Sequence, residues 1–279
     1  MTYAGWRSIP HVCIVYDANV GLLKDALQRH NSSCAAEEKI TFNTAMLRLV
    51  VEGLKACPKM NGHARYHPWL VSGKVTYKDH IDISMPIQYG DGKMITVTLP
   101  QMENRSMREM QNMITELRAG IELTEMDRVL YQTGLLDTFT ELRRGNVLTA
   151  AGRLIGAKLG RGRVRIPPRK EEHHEASLTP KDIQQGSITV SNMGSLYRNW
   201  HGNCTILEII PPQLCALAIG AIQKRAVVDE ADEIHAAQIV PITIAFDHRV
   251  LDCADIVPFM QQLDSLLADS VWLEDAIHA

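Results

Sequence analysis

Long apolar runs, paired cysteines and aromatic residues are all scarce in this chain. No apolar stretch in its 279 residues approaches the ~20 needed to cross a bilayer, which excludes an ordinary membrane-spanning helix. The first residues, Met-Thr-Tyr-Ala-Gly-Trp-Arg, lack the apolar core of a signal peptide, so a cytoplasmic protein is expected. Cys13, Cys34, Cys57, Cys204, Cys215 and Cys253 include no C-x-x-C pair and read as reduced, packed thiols rather than a disulfide framework. Eleven histidines form no convincing metal set, and His173-His174, in a charged stretch, is a weak zinc candidate, so no metal is expected. A net charge of −3 gives no overall pull toward nucleic acid, and no nucleic-acid partner is expected.

What remains is an ordinary globular composition, 46% hydrophobic and 22% charged, on a chain long enough for one large domain or two small ones. Its most informative stretch lies near the C-terminus. Ile239 to Phe246 reads as a buried strand, and Ile256, Phe259, Met260, Leu263, Leu266 and Leu267 recur at helical spacing. Between them sit Asp247, His248, Arg249, Asp252 and Asp255, more ionisable groups than a strand-to-helix turn needs. Asp252 or Cys253 is expected near the helix N-cap, with Asp255 in the first turn. Taken alone, His248 reads as a histidine satisfied by a backbone group.

From the N-terminus, Ile9 to Asp17 is expected as a strand and Val20 to Arg29 as a helix. Thr41 caps a stronger helix that Cys57-Pro58 ends. Strands are expected over Trp69–Gly73, Ile81–Ile87 and Met94–Leu99, the last two joined by a turn at Tyr89-Gly-Asp-Gly-Lys93. Ser106-x-x-Glu109 is a capping box for a helix through Leu117, with its methionine stripe inward. Thr124-x-x-Asp127 is expected to cap a short helix holding Met126, Val129, Leu130 and Leu136, and a second helical pattern holds Val147 to Leu159. Nine basic residues between Glu141 and Lys170 face the single acid Glu141, a pattern shared by solvated helix pairs, anionic membrane surfaces and acidic partners.

The run Asp247-His248-Arg249-Val250-Leu251-Asp252 resembles the His-x-x-x-Asp-Gly motif of the acyltransferase (E2) catalytic domain of 2-oxoacid dehydrogenase complexes and of chloramphenicol acetyltransferase. Ser8-Ile-Pro-His-Val, Leu54-Lys-Ala-Cys-Pro-Lys-Met-Asn-Gly, the Asp-Gly strand pair around Gly90 to Pro100, Leu178 to Gly186, Ser187 to Gly194 and Ile209 to Arg225 stand in that family's order. The resemblance covers about 220 residues and leaves 122–175 as a helical basic insert within a single catalytic domain spanning 1–279.

The resemblance implies an α/β two-layer sandwich, with a mixed sheet packed by helices, in a homotrimer or a multiple of trimers. It implies acyl-coenzyme A as substrate, His248 as general base, Ser191 as oxyanion donor from a neighbouring subunit, and Asp252 as an organiser paired with an arginine. Arg7 is the candidate for that arginine, with Arg249 as substitute, and Asn192 follows Ser191 in the matched turn. Cys253 stands where the motif has glycine, which would strain a backbone of positive φ. No lipoyl-bearing or subunit-binding segment is read in the chain, so a free-standing acyltransferase is expected, with no covalent lipoyl group. The alternatives are a non-catalytic trimeric scaffold and an acyltransferase at the membrane periphery using a carrier-bound donor, with 141–170 greeting the acyl carrier or anionic surface.

Overall fold

The computed structural model describes residues 2–67, 71–90, 92–143, 151–152 and 177–278. They fall into two compact units: Met1–Pro86, Leu99–Met113 and Gly186–Ala279 form the first, Ile87–Thr98 and Ile114–Gln185 the second.

The first unit is built on β9 (Ile234–Asp247), a 14-residue strand whose C-terminal half is wholly buried. Its N-terminal half pairs antiparallel with β8 (Gln223–Val228). Its C-terminal half is flanked by β1 (His11–Asn19) and β7 (Cys215–Ile219), both antiparallel to it. Parallel pairing then adds β6 (Ile188–Asn192) and the start of β4 (Ile83–Tyr89). The sheet is therefore mixed. Its order is β1, β9, β7, β6, β4, with β5 (Lys93–Leu99) next in line.

Strands β7 and β9 read as continuous apolar runs because both faces are covered. Ala216, Ala218, Thr243 and Ala245 are almost fully buried, and Ile9, Leu207 and Ile209 pack over Ala216 and Ala245. Of the helices, α2 (Gly21–Ser33), α3 (Phe42–Ala56), α7 (Cys253–Ala268) and α8 (Ser270–His278) pack together as the second layer. Gly53 lets α3 approach α7 closely, since a Cβ there would stand 2.6 Å from the Phe259 ring. A short helix α1 (Thr2–Ser8) precedes β1.

The first strand starts two residues later than expected, because the Ile9 amide donates to Gly5 and closes α1. The Thr41 cap is present. A hairpin of β2 (Gly62–His67) and β3 (Ser72–Tyr77) was not expected, and Trp69 lies outside the described residues. Every β3 residue is exposed, so no buried alternation marked it.

The Ser106–Glu109 capping box opens α4 (Met107–Leu123), which runs six residues past the expected end and crosses from the first unit into the second. In the second unit the glycines of the β4–β5 turn take positive φ, +50° at Gly90 and +81° at Gly92. Helix α5 (Met126–Arg143) has 18 residues and runs past Leu136, the last residue of the expected short helix. Thr124 does not cap it: its hydroxyl donates to Gly120 and accepts from the Leu178 amide. Apart from 151–152, the expected helix over 147–159 and nearly all of the basic run lie outside the described residues. Among the described residues, no helix is long and apolar enough to cross a membrane.

Candidate active site

The buried end of β9 delivers Asp247 into a tight turn that leads to α7, and every amide from 247 to 252 has an acceptor. Asp247 N–H donates to Leu214, His248 N–H to Pro10, and those of Val250 and Leu251 to the Asp247 carbonyl, all at 2.9 to 3.0 Å. The Arg249 amide donates to Asp247 Oδ1 at 3.1 Å, and that of Asp252 to Asp255 Oδ2 at 3.1 Å. With every backbone donor of the turn satisfied, any other arrangement must break one or more of these bonds.

That arrangement orients His248. Its Nδ1 lies 2.9 Å from the Leu251 carbonyl, which can only accept, so Nδ1 carries the proton and neutral His248 keeps its lone pair on Nε2. The ring stands edge-on to Phe246, with centroids 6.0 Å apart, while the residue is exposed. It is thus an exposed histidine of fixed tautomer, held by a backbone carbonyl rather than sunk in the core.

Around it, Asp252 is the N-cap of α7 and accepts from the amides of Ala254 and Asp255, in a reciprocal capping box with Asp255. Lys59 Nζ sits 2.6 Å from Asp255, raising the lysine and lowering the carboxyl from their ordinary ranges. Asp252 has no arginine partner among the described residues. Arg7 lies on α1 and has no ion pair among the described residues. The N-terminal segment reaches the turn through the Ser8 and Pro10 carbonyls instead. Cys253 is the first residue of α7, is exposed, and is not among the residues with positive φ, so cysteine for the motif glycine costs no backbone strain here.

Ser191 and Asn192 occupy the opposite end of the sheet. Ser191 pairs with Ala218 of β7, and Ala218 with Thr243 of β9. His248 follows Thr243 by five residues. Counting ~3.3 Å per residue and ~4.8 Å per strand, it lies roughly 16 Å along the strands and 10 Å across them from Ser191 of the same chain. The two do not meet within one copy. Asn192 caps a single helical turn, α6 (Met193–Leu196), by accepting from the Ser195 amide at 2.8 Å, and it donates to Asn43 near the start of α3.

Two residues that sequence reasoning left without a role anchor this region. Asp247 is fully buried beside Arg249. Gln213, 1% exposed, accepts from Thr189 and donates to the Gly186 carbonyl, to which His63 also donates; burial lowers the His63 imidazole below its usual range. An acid directly before His-Arg was the only sequence signal for Asp247. Among the described residues no cluster of histidine, cysteine or carboxylate could hold a metal ion, and His173-His174 lies outside them.

The fold is thus of the α/β class, a mixed sheet under a layer of helices, with an oriented histidine on a strand-to-helix turn. The family model for the catalytic domain of 2-oxoacid dehydrogenase acyltransferases matches residues 2–127 and 166–273, and the chain belongs to that family. Among curated proteins, it is 24% identical over 250 residues to the dihydrolipoyllysine-residue acetyltransferase component of the Rickettsia bellii pyruvate dehydrogenase complex, covering 89% of the chain and 44% of the relative. It is 25% identical over 263 residues to the Zymomonas mobilis counterpart, covering 94% and 45%. The chain therefore spans less than half the length of these relatives. Among solved structures, the cubic core of a pyruvate dehydrogenase multienzyme complex superposes with a TM-score of 0.64 at 16% identity, over 96% of this chain and 85% of that one. A probable dihydrolipoamide acetyltransferase from Listeria monocytogenes gives 0.61 at 19%, over 95% and 87%.

Proposed function

We propose that the chain transfers an acyl group between coenzyme A and a thiol or hydroxyl acceptor, with His248 as the base. The observation that carries this reading is the His248 Nδ1–H bond to the Leu251 carbonyl, which leaves Nε2 of this exposed residue as an acceptor of fixed direction. Nε2 takes the proton from the acceptor, whose sulfur or oxygen attacks the thioester carbonyl. Collapse of the tetrahedral intermediate expels the coenzyme A thiolate, which recovers the proton from the imidazolium. Ser191 Oγ–H stabilises the oxyanion, a contribution of roughly 3 kcal/mol for one such donor.

Because His248 and Ser191 stand at opposite ends of one copy's sheet, the site takes them from two copies of a trimer. Asp252 organises the turn by capping α7, in place of an arginine pair, and Asn192 fixes the turn after Ser191. In the Azotobacter vinelandii dihydrolipoamide acetyltransferase, which shares the fold, a serine, a histidine and an asparagine were investigated for their role in catalysis. Residues 1–279 act as one catalytic domain, with 122–175 as an insert.

The test is thiol release from a panel of acyl-coenzyme A donors, with dithiol and hydroxyl acceptors, for wild type and His248→Ala. A loss of at least about a hundredfold in the variant supports the base role. A folded trimer with no turnover on any donor would leave the non-catalytic scaffold, or a carrier-bound donor, as the better account.

A further inference from the structure

The histidine turn holds a second, unassigned device. Asp247 is the first residue of that turn and Arg249 the third, so His248 lies between them. The Arg249 guanidinium forks the buried Asp247 carboxylate, Nε to Oδ1 at 2.8 Å and Nη2 to Oδ2 at 2.5 Å. Its remaining nitrogen, Nη1, donates to the Ser8 carbonyl at 2.7 Å, and its Cζ lies 5.1 Å from the centre of the Tyr66 ring. The guanidinium thus bridges the end of β9, the segment before β1 and the β2–β3 hairpin, while its side chain stays 23% exposed. A fork of this kind needs a planar guanidinium, and lysine cannot reproduce it.

We propose that Asp247 and Arg249 are positioning residues for His248: their clasp holds the turn so that the Leu251 carbonyl faces His248 Nδ1 and fixes the tautomer. Two observations lead there. Asp247 accepts from the Arg249 amide and, through its own carbonyl, from the amides of Val250 and Leu251, so one residue sets the direction of the carbonyl that receives the histidine proton. Asp252, the residue expected to do this through an arginine pair, spends its side chain on the cap of α7. The inference rests on the reading of His248 as base, and its test separates the two.

The primary variant is Arg249→Lys, which keeps the charge and removes the fork; Asp247→Asn is the second, with circular dichroism and trimer mass checked for both. With the acyl-coenzyme A donor that wild type turns over, kcat falls about 10- to 100-fold in each, as for a misplaced catalytic group, while KM stays within about twofold. In a His248→Ala background the same substitutions cost less than about twofold more, because a positioning residue acts through the group it positions. Equal losses in both backgrounds, or an unchanged kcat, would overturn the proposal. A second readout needs no turnover. In the nitrogen-15 NMR spectrum of histidine-labelled protein, the signal missing from His248→Ala reports the tautomer: Nδ1–H in wild type, shifting toward Nε2–H in Arg249→Lys as the restraint is lost. The same tautomer in both proteins would sink the clasp, even if wild type proved inactive and the acyltransferase reading failed by itself.

Discussion

The two ends of the central sheet are built in opposite styles. At the His248 end, six consecutive amides, a buried carboxylate, a forked guanidinium and a capping box fix every atom of a short turn. At the Ser191 end the strand runs into one helical turn held by Asn192, with Leu196 57% and Tyr197 62% exposed beside it. The first end is finished within one copy. The second presents apolar surface and a serine whose hydroxyl has no hydrogen-bond partner among the described residues, as suits a half-site that a neighbouring copy completes. In the proposed mechanism the base takes its precision from the chain itself, and the oxyanion donor takes its place from assembly.

Substitutions at the two ends should separate rate from stability. The largest expected effect, beyond that of His248→Ala, is at the sparse end: Ser191→Ala lowers kcat by about a hundredfold, the scale of one lost oxyanion donor, with the melting temperature unchanged. A stability loss there with little change in rate would make Ser191 a packing residue and erase the contrast. At the tied end, Asp252→Ala removes the cap of α7, costs about 1 kcal/mol and lowers the melting temperature by roughly a few degrees in differential scanning calorimetry. No shift would mean that Asp255 and Lys59 suffice to start the helix.

The smallest expected effect depends on pH. Lys59 lowers the Asp255 carboxyl below its ordinary range, so this group stabilises the fold above the pKa of an unfolded carboxyl and loses that contribution as acid protonates it. The difference in melting temperature between wild type and Asp255→Asn is therefore present at neutral pH and closes as pH falls below about 4. A difference that persists in acid would assign it to the capping box rather than the charge.

What the sequence made legible was whatever its local pattern determines. Strand β9, the Asp252 cap and the inward face of α7 follow from an apolar run, a capping residue and helical spacing, all within about thirty residues. Thr41 and the Ser106 box succeeded for the same reason. The β2–β3 hairpin escaped because exposed strands bury no alternating face. The Asp247 to Arg249 fork escaped because its third partner, the Ser8 carbonyl, lies 241 residues away. Asp252 illustrates the limit of resemblance: the residue could be located from the motif, but its side-chain partner depended on where the N-terminal segment folds, and that segment brings carbonyls rather than the Arg7 side chain.

The central claim is that one catalytic site takes His248 from one copy and Ser191 from another. Mixing His248→Ala and Ser191→Ala chains, refolding them into common trimers and assaying thiol release tests it directly, since each variant alone keeps only about a hundredth of the wild-type rate. If the site is shared, mixed trimers contain interfaces with both residues intact, and a substantial fraction of wild-type activity returns. If activity stays at the level of the separate variants although mass spectrometry shows mixed trimers, both residues act within one chain, and the account is wrong.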